Sequence, residues 1–436
     1  MGAALAKTMA HFWPEMRHWL GQLVDTRDQD SITYPRQFLF WTGSMIFLLK
    51  MGSRRKLRFE LDSPVALANL NRLSQSAMTS RPHSDTVEHF LSHVPTGSLE
   101  KLLQLMVHRV IRMKVLDYAR LHGHLLLVLD ATGQLHFRTR HCEHCLERTV
   151  NGQRHYYHQV LEAKLVTPDG LAISIASEFI ENMDPNAPKQ DCELKAFIRL
   201  VEKIKRQYPQ LRLCLCMDAL YANGSVFTIC EQNHWKYFIT FKPGSMPALW
   251  IEYQSLLALM AANCKVVHVD QHTRQEFAWV NGMEHIDDRE RHHRFNIFQC
   301  TEHYGKDSKE RHFAWLTNFP IRVDTVDELG NKGARCRWKI ENEGFNIQKN
   351  GGFNLEHAYS TKRRQMHNWY ILLQIAHLIL QFLERGSLLC QDVKRSFGSI
   401  RAMAQRLWES IRNVLIPQEA LDIAAAARIQ IRFNSS

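Results

Sequence analysis

Apolar positions recur at helical spacing through the first quarter of the chain: Phe38, Trp41, Ile46 and Leu49, then Val65, Leu67, Leu70 and Leu73, then Leu102, Leu103, Met106, Val110 and Met113. Residues three and four apart share one face of a helix, so the stretch from Ser31 to about Leu121 is expected to be helical, and nothing in it alternates like a strand. The pattern changes at Leu125. Leu125 to Leu129 is apolar at every position, as a central strand covered on both faces must be. Gln159 to Val166 and Leu171 to Phe179 flank the turn tetrad Thr167-Pro-Asp-Gly170 and read as a hairpin. Leu194, Phe197, Ile198, Val201 and Ile204 return to helical spacing, and that helix stops before Pro209. Leu211 to Met217 alternates and sets Arg212, Cys214, Cys216 and Asp218 on one face of a strand. A short helix over Ser225 to Trp235 and a strand over Lys236 to Phe241 follow.

Beyond Lys265 the chain reads as further strands: Val266 to Val269, Glu276 to Val280 before the tight-turn pair Asn281-Gly282, Phe295 to Phe298, and His312 to Leu316. Trp369 to Leu383 is a long apolar helix whose Gln374 and His377 mark it as core rather than membrane, and residues 386–436 read as helical and basic. The expected class is therefore α/β. A helical region at 1–120, a candidate DNA-binding domain, precedes a core over 121–250; a β-rich insertion over 251–330 interrupts it; the core resumes over 331–385; a helical region at 386–436 ends the chain. The succession strand, hairpin, helix, strand, helix, strand resembles that of ribonuclease H-like domains.

With 436 residues, 45% of them apolar, the chain has material for more than one small core. Lys and Arg exceed Asp and Glu by 11, with 24 histidines besides, so the surface field favours a polyanion such as nucleic acid. The apolar run Phe38 to Leu49 is shorter than a bilayer requires, and no export signal opens the chain. A cytoplasmic location is expected, with the ten cysteines as reduced thiols.

Three carboxylates carry the candidate chemistry. Asp130 closes His124-Leu-Leu-Leu-Val-Leu-Asp130, Asp218 closes Leu211-Arg-Leu-Cys-Leu-Cys-Met-Asp218, and Glu341 lies in the helical stretch Arg337-Trp-Lys-Ile-Glu341-Asn-Glu-Gly-Phe345. Aspartates at strand ends are fixed by the sheet yet face solvent, and hard oxygen ligands converging there suit two Mg2+ or Mn2+ ions. Each aspartate taken singly reads first as a turn or helix cap, and only the two together, on strands the topology makes neighbours, read as metal ligands. Glu341 is chosen over Glu343 because Arg337, Glu341, Phe345 and Gln348 follow steps of four, four and three and share a face. A second cluster, Cys142, Cys145, His155 and His158, offers the ligand types of a structural Zn2+ site; the alternative is thiols and imidazoles in an ordinary loop. Lys242 and the cluster Lys362, Arg363 and Arg364 are candidate phosphate contacts, which would give salt-sensitive, sequence-blind affinity.

The stretch from Asp130 through His357 resembles the DDE transposases of bacterial insertion sequences that carry a β-strand insertion in a ribonuclease H-like core. The carrying residues are Leu129-Asp130-Ala-Thr, Tyr156-Tyr-His-Gln-Val-Leu-Glu-Ala-Lys164, Met217-Asp218-Ala-Leu-Tyr-Ala-Asn223 and Arg337-Trp-Lys-Ile-Glu341-Asn-Glu-Gly-Phe-Asn346. Family members usually also have a tyrosine three positions before the arginine and a lysine seven after the glutamate. Here Ala334 and Gln348 stand there, with Lys349 one place late. The resemblance implies Asp130, Asp218 and Glu341 as catalytic metal ligands and Arg337 and Lys349 as DNA contacts. It further implies cleavage at element ends and transfer of the 3'-hydroxyl into target DNA, by a homodimer or higher oligomer associated with the bacterial nucleoid. A transposase-derived DNA-binding protein without chemistry, or a hydrolytic nuclease with the same metal site, are the competing expectations.

Overall fold

A computed structural model describes residues 1–184, 187–305, 309–389, 397–422 and 431. The helical expectation for residues 390–396, 423–430 and 432–436 lies outside the described residues. The protein is a mixed α/β structure built on one ten-stranded mixed sheet. In chain order the strands are β1 (Leu125–Phe137), β2 (Leu146–Val150), β3 (Gln153–Val166), β4 (Ala172–Ile180), β5 (Leu213–Met217), β6 (Lys236–Thr240), β7 (Cys264–His268), β8 (Thr273–Ile286), β9 (His292–Tyr304) and β10 (Lys309–Thr317). Across the sheet they run β2-β3-β1-β5-β6-β10-β9-β8-β7, with β4 also on β3. β1, β5 and β6 are mutually parallel, and every other pairing is antiparallel.

The continuous apolar run at Leu125–Leu129 has the predicted cause, since β1 is covered on both faces. Its even positions Leu126 and Val128, with Cys214 and Cys216 of β5, pack against Leu329, Ala334, Cys336, Ile340 and Phe345 of a helical run over 326–350. Its odd positions belong to a larger core that includes Phe197, Leu200 and Ile204 of the Glu193–Gln207 helix. Period-two alternation therefore decides which helical layer each β1 side chain meets. The Arg363–Arg385 helix is buried from Gln365 to Leu383 and is tied to β3 and β4 by Lys164 to Gln374 (2.7 Å), Tyr370 to Glu162 (2.6 Å) and the Ala172 amide to Gln381 (2.7 Å). Gln374, Tyr370 and Gln381 thus satisfy buried partners, as polar groups in a core helix require. Helices between Gly2 and Arg112 surround this long helix and share its hydrophobic core. No described helix is long and apolar enough to cross a membrane.

Two local expectations are corrected. Asp130 does not end its strand: β1 continues to Phe137, with a register shift between Gly133 and Leu135, because β3 keeps pairing with it as far as Phe137. Asn281-Gly282 does not turn the chain either. It is a bulge within the single strand β8, where Gly282 adopts φ +75° and the Asn281 side chain clasps the backbone of Ile321. The strands of the expected insertion also continue the central sheet, since β10 pairs directly with β6.

Candidate active site

Strand register sets the first two carboxylates. The last β1–β5 pair is Val128 with Cys216, so two residues further on Asp130 and Asp218 stand level, on the same face, just where β5 stops. Past that point β1 has lost its neighbour on one side, which leaves room beside a strand still held by β3. Asp130 is on the face covered by the helical run 326–350, and that run brings Arg337 and Glu341 to it. The Arg337 Nη1 lies 2.8 Å from Glu341 Oε1 and 3.7 Å from Asp130 Oδ2. Glu343 instead pairs with Lys339 at 2.9 Å, so the four-residue step separates the two glutamates as expected. The run is not a regular α-helix: it passes through five-residue-bonded turns at Leu329–Gly333 and Ile340–Asn346 and a tighter stretch at Ala334–Arg337.

Asp218 also serves the backbone, its Oδ1 accepting the Leu220 N–H at 2.9 Å to cap the turn Ala219–Tyr221. The cap and ligand readings of this residue are compatible, because one oxygen stays free of that bond. Two further residues join the group. Glu193, first residue of its helix, accepts a hydrogen bond from the Tyr221 hydroxyl at 2.8 Å. An acidic residue in a helix's first turn reads as ordinary capping chemistry, so the sequence carried no signal of this role. Tyr221 was visible only as part of the Asp218-Ala-Leu-Tyr motif.

Burial raises the Asp130 carboxyl to about 7; Arg337 opposes the rise, and the negative charges of Glu193 and Glu341 add to it. Burial and the nearby Asp218 likewise raise Glu193, with the Tyr221 hydrogen bond opposing. These couplings mark one acidic neighbourhood. It is open: among the described residues, the group of three or more ligand side chains closing to within 4.8 Å of one another is a different one, His141, Cys142, Cys145 and His158. That set corrects the expected thiol–imidazole cluster. His155 and His158 are three apart on β3 and so point to opposite faces; His155 bonds His136 instead at 3.0 Å, and His141 takes the place assigned to it.

An open cleft of about 610 Å³ adjoins the acidic group and shares Arg337 with it; Lys242, Arg311, Arg335, Phe313 and Trp338 line it. Lys242 and Arg311 are exposed, Trp338 is 54% exposed, and Arg335 is held by Glu302 through two hydrogen bonds. The other predicted basic contacts are mostly engaged within the protein. Lys349 pairs with Glu356 at 2.7 Å, Arg363 with the buried Glu181 at 2.7 Å, and Arg364 donates to the Ser92 carbonyl at 3.1 Å; Lys362, at the start of the long helix, is exposed. No protein-family model matches this chain, and no curated protein matches its sequence.

Proposed function

We propose that this protein is a DNA transposase that cleaves at element ends and transfers the resulting 3'-hydroxyl into target DNA. The observation that carries the reading is Arg337 lying between the carboxylates of Asp130 and Glu341, at the sheet end where Asp218 stands level with Asp130. The strand order β4-β3-β1-β5-β6, with β1, β5 and β6 parallel and β3 antiparallel to both its neighbours, supports a ribonuclease H-like core. The basic, aromatic cleft beside the carboxylates supports a polyanionic substrate.

The donor set fits hard divalent cations. Asp130, Asp218 and Glu341 offer oxygen alone, and Asp130 leans towards its protonated form because burial and like charges surround it, a state that a cation would reverse. Bound Mg2+ or Mn2+ would supply Lewis acidity towards an attacking water or 3'-hydroxyl and charge neutralisation at the leaving oxygen. The chain's own groups do the rest. Arg337, in metal-free protein the counter-charge of two carboxylates, becomes available to hold a phosphate once those carboxylates have other partners. Tyr221 and Glu193 fix the turn that carries Asp218. Lys242 and Arg311 attract the backbone of the DNA, and Trp338 offers a face for an unpaired base. Two DNA ends would be held by two or more copies of the chain.

The test uses the full chain with Mg2+ or Mn2+ and DNA carrying the repeats that flank its coding region. Asp130→Asn, Asp218→Asn and Glu341→Gln should each lower cleavage by more than about 10²-fold while end-DNA binding persists. Full cleavage in any one variant removes that residue from the site. Cleaved ends that are never joined to a target plasmid would replace the transposase reading with a hydrolytic nuclease.

A further inference from the structure

We propose that His141, Cys142, Cys145 and His158 bind one zinc ion in a closed tetrahedral site, a structural centre distinct from the carboxylate cluster. All four ligand atoms lie within 4.8 Å of one another. The Sγ atoms of Cys142 and Cys145 are 3.5 Å apart, His158 Nε2 is 3.4 Å from the first and 3.5 Å from the second, and His141 Nδ1 is 3.9 Å from Cys145 Sγ. Zinc bonds of about 2.0–2.3 Å to nitrogen and sulfur, set at tetrahedral angles, require ligand-to-ligand edges of roughly 3.3–3.8 Å. The three edges among Cys142, Cys145 and His158 fall within that range, and the His141–Cys145 edge lies just outside it.

The backbone is arranged for the purpose. Residues 142–145 make a tight turn in which the Cys145 N–H donates to the Cys142 carbonyl at 3.4 Å, which sets both thiols on the same side. His158 comes from β3, whose fixed strand geometry aims its ring at both sulfurs. Three of the four donors thus come from rigid elements, and His141 completes the set with its ring stacked on Phe137, 4.4 Å between centroids.

A second, independent observation comes from the nitrogens that do not face the sulfurs. His141 Nε2 lies 2.8 Å from the Thr361 carbonyl, and His158 Nδ1 lies 3.6 Å from the carboxylate of Glu181. Metal-binding imidazoles characteristically place their other N–H against a carbonyl or carboxylate, which fixes the tautomer that presents a lone pair to the ion. Glu181 is itself buried and held by Arg363 and His367. His158 Nδ1 is buried without a hydrogen bond as it stands, and closing the remaining few tenths of an ångström to Glu181 would satisfy it. Two thiolates and two imidazoles select zinc over magnesium or calcium, and with four protein donors no position remains for water, so the site is structural and not catalytic. Through Thr361 and Glu181 it would lock the 138–145 loop and β3 to the start of the Arg363–Arg385 helix.

The experiment is metal analysis of the untagged full chain, made in zinc-supplemented medium and purified without chelator. One zinc per chain is expected. Replacement by Co2+ should give the strong visible bands of a tetrahedral sulfur–nitrogen site. Cys142→Ser, Cys145→Ser and His158→Asn should each cut bound zinc at least tenfold, whereas His155→Ala, which alters a histidine outside the set, should leave one zinc per chain. The proposal is overturned by wild-type protein that carries less than a tenth of an equivalent of zinc and shows no tetrahedral cobalt bands, or by loss of metal in His155→Ala. Because the decisive readings are on wild-type protein, misfolding of a cysteine variant does not protect the idea. Loss of zinc would leave the carboxylate cluster, and the test of its cleavage activity, untouched.

Discussion

Asp130 is the residue at which burial, charge and register meet. Its carboxyl is raised to about 7, by burial first, with Arg337 opposing and Glu193 and Glu341 adding to the rise. A carboxyl whose folded value exceeds its unfolded one binds its proton more tightly in the native state, so ionising it destabilises the fold: the penalty vanishes well below the unfolded value of 3.8, grows from there to about pH 7, and is constant above. Each unit corresponds to about 1.4 kcal/mol, and with 23% of the side chain exposed to solvent the net effect should be on the order of 1–3 kcal/mol. Asp130→Asn cannot ionise. In chelator, urea unfolding should therefore find the variant more stable than the wild type at pH 8 by about that amount, with the difference fading towards pH 4. A difference independent of pH would mean that Asp130 is not held in an unfavourable charged state. In Mg2+ the wild type should regain at pH 8 what it lost, and the variant should not.

At the scale of elements, the site depends on how closely the helical run 326–350 can lie on the sheet. A Cβ added at Gly333 would stand 2.7 Å from Phe238 Cε2 and 2.8 Å from Leu121 Cδ2, and Phe238 is itself stacked on Phe319 at 5.4 Å, so the ring has nowhere cheap to go. Gly333→Ala should cost about 1–3 kcal/mol, read as a lower urea midpoint at unchanged slope, because overpacking a closed interface displaces it. A variant of wild-type stability would show that the run can shift without penalty. Sequence alone revealed much of this layer. The four-residue step from Arg337 separated Glu341 from Glu343 even though the run is irregular, since the pairing needs only one local turn. Most strands were legible because burial on one or two faces writes itself into period two, whereas the largely exposed β2 carries no such pattern and was missed. What failed were the points where local chemistry points one way and pairing another. Asp130-Ala-Thr-Gly133 and Asn281-Gly282 carry turn residues, yet the neighbouring strands keep their hydrogen bonds through both places and turn the second into a bulge. His155 was chosen over His141 by sequence spacing, which cannot see that a strand sends alternate side chains to opposite faces unless the strand is known to include both. Glu193 was invisible because its role exists only once the start of the Glu193–Gln207 helix is placed beside Asp130 and Tyr221.

For the molecule as a whole, the consequence of the β7–β10 meander joining the sheet at β6 is electrostatic. Arg311 near the start of β10 and Lys242 just past β6 come to line one cleft with Arg337, although the chain separates them widely. Net charge alone, an excess of 11 basic residues, predicts affinity for polyanions but not where they lie. If the phosphate backbone runs through this cleft, each contact releases condensed counterions, and the logarithm of the binding constant falls with the logarithm of salt concentration by about 0.9 per duplex phosphate neutralised. Lys242→Ala and Arg311→Ala should each weaken binding to related and unrelated duplexes alike, and the double variant should flatten the salt slope by about 1.8. Lys349→Ala is the internal control: its ammonium is already paired with Glu356, so its slope should stay at the wild-type value. Anisotropy titrations at roughly 50 to 200 mM salt cover the range in which such differences are large. A double variant with an unchanged slope would move the DNA off this face, whereas a slope that flattens only for Lys349→Ala would place the backbone along the helical run beyond Glu341 rather than across the meander.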